Sequence, residues 1–186
     1  MGHQHHLAIL ALAVASLACS VFIGGPPLPD PPIPNSPEAL LTLRADIEKA
    51  VFESLTEGTL RLTITQEQLT AFLASRLSMQ EPPILAEPQV VLGEQEMVVY
   101  GRVRSGIFEA TMAVTAQFAV DQSGQPQFRI SHGELGPLPM PQALRDSIAA
   151  AVDEALTGYI GPVAIGFRLE SIEISNGIMT VTGRLR

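Results

Sequence analysis

The chain has no tryptophan, two tyrosines and a single cysteine. So few amphipathic rings exclude an aromatic belt at a membrane surface. One cysteine excludes an internal disulfide framework and a zinc site of several cysteines. Basic residues are scarce as well: eleven Lys and Arg stand against 19 Asp and Glu, for a net charge of −8. That balance argues against nucleic acid, whose phosphates need a basic patch. It also argues against electrostatic attraction to anionic lipid headgroups. Apolar residues make up 46% of the chain and charged residues only 16%, a composition that supports a packed core rather than disorder. At 186 residues the chain is long enough for one domain and a tail.

Reactive groups are missing too. The sequence contains no glycine-rich phosphate loop, no nucleophile elbow and no pair of histidines four residues apart. Past the N-terminal tail the only histidine is His132, and no cysteine follows Cys19. His132 continues the parity of Phe128 and Ile130, so it is expected to point toward an apolar face near a strand end. Glu94 and Glu96 are a pair of acids, but they fall in a turn, where acids are ordinarily solvated. No catalytic residue, metal site or cofactor is expected, and the chain reads as a non-enzyme.

What is present begins with a run of 17 uncharged residues, 7–23, with only two serines. It reads as the apolar part of a secretory signal or as a short membrane anchor. His3, Gln4, His5 and His6 precede it as a polar flank. Ser16, Leu17 and Ala18 lead into Cys19, a permissive bacterial lipobox. One reading places a diacylglyceryl thioether on Cys19; the other leaves an uncleaved anchor. Either ties the chain to a membrane through its N-terminus, at the extracytoplasmic face. Residues 24–37 follow, seven of them proline, and read as a stiff polyproline II spacer between residues 1–23 and a single domain over residues 38–186. On that division, removal of residues 1–37 releases a folded, soluble domain.

Hydrophobic periodicity sets out the domain. Ser36, Pro37 and Glu38 start a helix whose stripe is Leu40, Leu43, Ile47, Ala50, Val51 and Leu55, up to Gly58. Leu60, Leu62 and Ile64 alternate as a strand. Thr65 and Gln68 form a capping box for a second helix with Leu69, Phe72, Leu73 and Leu77 inward. Strands are predicted over 89–92, 97–103, 109–121 and 127–132, then a long third helix from Pro141, then a hairpin over 167–174 and 178–185 with Asn176-Gly177 as its type I′ turn. The expected fold class is α+β: a long curved antiparallel sheet wrapped on a long C-terminal helix, with two N-terminal helices.

In the strand over 109–121, Ala110, Met112, Val114, Ala116, Phe118 and Val120 share one face. At roughly 13 residues such a strand is about 40 Å long and needs a long apolar cover. The third-helix stripe of Leu144, Ile148, Ala151, Val152, Ala155, Leu156 and Tyr159 supplies one. Sheet and helix either close as a packed core or leave an elongated apolar cleft; alternation is the same for both. Met112, Val114, Phe118, Ile148 and Val152 are the candidate lining residues. Met112, Met140 and Met179 suit irregular apolar space, with ordinary core as their default.

Three segments carry a family resemblance. Residues 62–69, Leu-Thr-Ile-Thr-Gln-Glu-Gln-Leu, resemble the strand-to-helix entry of bacterial envelope proteins of the LmeA and YpmS type. Residues 136–141, Gly-Pro-Leu-Pro-Met-Pro, resemble their proline-containing helix entry, and the closing hairpin over 172–183 is similar to theirs. The resemblance covers about residues 59–186. It implies a phospholipid-binding envelope domain related to tubular lipid-binding folds, with phospholipid or fatty acyl chain as ligand and no catalytic residues. The alternative is a structural or regulatory envelope module whose core is packed and which binds a protein partner.

Overall fold

The structure, a computed structural model, describes residues 20–78, 85–142, 145–146, 148–150 and 166–185. Its first helix, α1, is Pro37–Glu57 and starts as its sequence dictates: Ser36 Oγ accepts from Ala39 N at 3.1 Å, with proline in the first turn. Gly58 closes it in the left-handed region, at φ 71°. Strand β2, Thr59–Thr65, buries Leu60, Leu62 and Ile64 and exposes Arg61 and Thr63. The second helix, α2, is Gln66–Leu77. Its capping box is complete: Thr65 Oγ1 accepts from Gln68 N at 3.2 Å, and Thr65 N donates to Gln68 Oε1 at 2.9 Å. The buried Gln68 also donates through Nε2 to Asp46 Oδ2 at 2.7 Å, which ties the start of α2 to α1.

The expected stripe of α1 needs one correction. Leu43, Ala50 and Ser54 are buried, with Leu40 and Ile47 packed beside them, but Leu55 is exposed. The inward row runs 43, 47, 50, 54 at helical spacing. Leu55 lies about 100° further round the helix than Ser54.

Strands β3 (Ala86–Leu92), β4 (Met97–Ser105), β5 (Phe108–Val120) and β6 (Pro126–Leu135) form a large antiparallel sheet in chain order. The two-residue β7, Leu138–Pro139, adds to β6. The expectation of one continuous sheet is corrected. The C-terminal hairpin of β8 (Phe167–Ser175) and β9 (Ile178–Leu185) pairs instead with β2, as a separate three-stranded sheet of order β2-β9-β8. Alternation shows that a strand has one buried face, not which distant strand it pairs with. The Asn176-Gly177 turn has φ 51° and 77°, both positive as a type I′ turn requires.

The second sheet abuts one end of the first. Gln95 N in the β3–β4 turn donates to Ile174 O at 2.9 Å, and Gly177 N donates to Leu92 O at 3.1 Å. In the β5–β6 turn, Gly124 O accepts from Leu169 N at 3.2 Å. Strand β8 is therefore held by both turns. The expected long C-terminal helix falls mostly outside the described residues. Arg145, Asp146 and residues 148–150 are helical, and Ile148 is buried in the common core.

The end of the expected apolar run, residues 20–23, and the segment expected to be a free spacer are both part of the fold. Strand β1, Val21–Phe22, pairs in parallel with Phe108 and Glu109 of β5. The pairing of β5 with β6 begins only at Met112, so the first residues of β5 would otherwise have an unpaired edge. Val21 N bonds Ile107 O at 2.7 Å, Ile23 N bonds Glu109 O at 2.9 Å, and Gly24 O accepts from Thr111 N at 3.1 Å. The chain then crosses the outer face of the sheet. Thr111 Oγ1 donates to Pro26 O at 2.8 Å, and Ile33 N donates to Gln89 Oε1 at 3.0 Å, two strands away. Gly25 is required at the crossing: a Cβ there would fall on Thr111 O and Oγ1. Residues 20–36 are therefore a strap; the boundary expected between residues 23 and 24 cuts through it, and a domain starting at residue 38 leaves it out. The reason is hydrogen-bond satisfaction: an exposed edge of β5 and two outward polar side chains, Thr111 and Gln89, receive partners from it.

Candidate functional site

Strand β5 organises the interior. Met112, Val114 and Ala116 are no more than 1% exposed, and Ala110 is also buried. Phe118 and Val120, further along the same face, are only partly buried. Across the β5–β6 pairing, Phe118 faces Phe128 and Ala116 faces Ile130. The rings of Phe118 and Phe128 lie 5.3 Å apart at 53°, a tilted aromatic pair. The apolar face thus grades from sealed at Met112 and Val114 to half-open at Phe118, Val120, Phe128 and Ile130.

Of the five lining residues expected from sequence, Met112, Val114 and Ile148 meet in one core, with Phe118 packed against it. Val152 and Cys19 lie outside the described residues. Met140 and Met179 join the same core, so each methionine takes its default role. Phe128 and Ile130 extend this face beyond the five expected residues, and their alternation with the exposed Gln127 and Arg129 is the sequence signal for it.

His132 does not face the interior. The β5–β6 register shifts between Thr115 and Ala116: Thr115 pairs with His132 and Ala116 with Ile130. Ser131 is the extra residue, and this β-bulge reverses the parity of everything after it. His132 is turned outward and pairs with Glu134 at 3.1 Å, while Gly133 takes the buried position opposite Val114. Glu94 and Glu96 sit in the β3–β4 turn, with Glu94 exposed.

The outer face is polar and paired. Glu109 accepts from Arg104 Nη2 at 2.8 Å and Arg102 Nη1 at 3.0 Å, and Arg102 Nε reaches Glu87 at 3.1 Å. Hydrogen bonds from Arg104 and Arg102 hold the Glu109 carboxyl below its ordinary pKa, against a smaller opposing effect of desolvation. Asp121 is lowered in the same way, first by the Ser123 hydroxyl and then by the Gln125 amide. Its Oδ1 caps the β5–β6 turn at 2.7 to 2.9 Å. Both acids therefore have structural partners. Among the described residues, no three His, Cys, Asp or Glu side chains converge as a metal site would require.

A family model described as LmeA-like phospholipid-binding matches residues 40–184, from α1 to the end of β9. The chain belongs to the LmeA-like phospholipid-binding family. No curated protein matches it in sequence. The LmeA-like match takes in β2 to β9, α2 and most of α1, so the apolar core of the described residues lies within it. The strap over residues 20–36 precedes the matched region.

Proposed function

We propose that this protein is a non-catalytic, extracytoplasmic phospholipid-binding protein, tethered to the cell membrane through its N-terminus. An acyl chain lies on the half-open part of the β5–β6 core face, against Phe118, Val120, Phe128 and Ile130. Membership of a phospholipid-binding family carries the reading. The half-open end of an otherwise sealed apolar face supports it. Burial at ~25 cal/mol per Å² drives such binding and is largely indifferent to salt, which suits a chain of charge −8. Shuttling of lipid between membranes, or envelope maintenance, is the role this binding would serve.

Native mass spectrometry of protein extracted from its own membrane tests the reading. Retained phospholipid is the expected result. Protein without lipid, together with no uptake of a fluorescent phospholipid at either low or high salt, leaves the partner-binding module as the better account. The tether is tested separately. Cys19→Ser should abolish acyl labelling if Cys19 carries a thioether; unchanged labelling leaves the uncleaved anchor.

A further inference from the structure

The end of the large sheet opposite the second sheet carries a cluster of exposed apolar side chains. Ile107 and Phe108 stand at the β4–β5 turn, 53% and 50% exposed. Phe22 and Ile23, on and just after β1, are 60% and 47% exposed, and Leu138 on β7 is 68% exposed. Three adjoining segments bring them together. Val21 pairs with Phe108, Ile23 Cδ1 lies 3.6 Å from where a Cβ on Gly136 would stand, and Gly136 N bonds Thr111 O at 2.8 Å. Soluble surfaces scatter large apolar side chains singly, and a cluster of this kind marks an interaction site.

We infer that this end of the sheet is a membrane-docking surface whose side chains enter the lipid bilayer. The occupant follows from where the chain comes from. The part of the apolar run that precedes the fold, residues 7–19, is followed by Ser20 and then β1, so no spacer separates it from the cluster. A single residue spans at most ~3.6 Å, so a bilayer holding the run touches the cluster. The local charge permits the approach. Arg102 and Arg104 balance Glu87 and Glu109 at the adjoining strand ends, although the whole chain carries −8. No helix among the described residues is long and apolar enough to cross a membrane, so the folded part docks peripherally. The sheet then stands on the bilayer with its second sheet about 40 Å away, the length of β5. This rests on the N-terminal tether of the proposed function but goes beyond its lipid-binding reading, since it needs no lipid in the interior.

The absence of tryptophan makes the test direct. The full chain carrying Phe108→Trp or Leu138→Trp is mixed with vesicles of phosphatidylcholine and phosphatidylglycerol, with or without brominated acyl chains. Phe52→Trp, on α1 and 74% exposed in the native protein, is the control. The expected result is a blue shift and loss of more than half the fluorescence for the first two and neither for the third. Two results overturn the inference. One is equal, unquenched emission from all three, whether or not the protein sediments with the vesicles. The other is equal quenching of all three, which would mean that no particular end docks.

Discussion

Thr111 Oγ1 donates a 2.8 Å hydrogen bond to the carbonyl oxygen of Pro26, 85 residues earlier in the chain. This bond pins a proline-rich segment across the outer face of the large sheet. It explains why Thr111 and Gln89 are buried on a face that alternation alone would assign to solvent. The strap also moves the start of the folded unit from residue 38 to residue 20.

The strap should be worth measurable stability. A chain starting at residue 38 should melt well below one starting at residue 20, because it leaves the first residues of β5 with an unpaired edge. Thr111→Val removes one bond and leaves the Pro26 carbonyl without it, at a cost of about 1–2 kcal/mol. Thermal unfolding followed by circular dichroism measures both. Coincident melting curves for the two chain lengths would show that the strap adds nothing.

The sealed part of the interior should respond as core. Ile148→Asp puts an unpaired charge among buried apolar side chains and should cost more than about 4 kcal/mol, enough to unfold a marginal domain. Met112→Trp, at a position with no exposure, should cost about 1–3 kcal/mol by overpacking. Denaturant titration gives both values; a change of a few tenths in either would mean a loosely packed interior.

The half-open end should respond differently. Phe128→Ser removes a ring that is only partly buried and breaks the pair with Phe118. Its stability cost should stay within about 2 kcal/mol, less than full burial of a phenylalanine contributes. Retained phospholipid, read by native mass spectrometry, should fall. Unchanged lipid retention in a folded Phe128→Ser protein would move the bound acyl chain elsewhere.

Acid should destabilise the protein through Glu109 and Asp121. Both have folded-state pKa values held below their ordinary 4.5 and 3.8 by hydrogen-bond partners. Their contribution is present above those ordinary values and is lost as pH falls through the lowered ones. Melting temperature should therefore decline on acidification below about pH 4.5, and less steeply for Glu109→Gln. Parallel declines in the two proteins would show that the arginine pairing of Glu109 has no net effect.

The sequence alone determined the local elements and the composition of the interior. Ser36 and Pro37, the Thr65–Gln68 capping box, the 109–121 alternation and the Asn176-Gly177 turn each depend on residues within a few positions of one another. Short-range sterics and periodicity suffice for such features. Family resemblance was legible for a related reason, since it rests on contiguous segments around residues 62–69, 136–141 and 172–183. Only the tertiary structure decided the pairing of β2 with β9, the strap on β5, and the outward turn of His132. Strand partners and bulges depend on which distant edge satisfies a row of backbone hydrogen bonds. Side-chain alternation is identical for every such partner, and a single inserted residue, here Ser131, reverses a face without changing the pattern that precedes it.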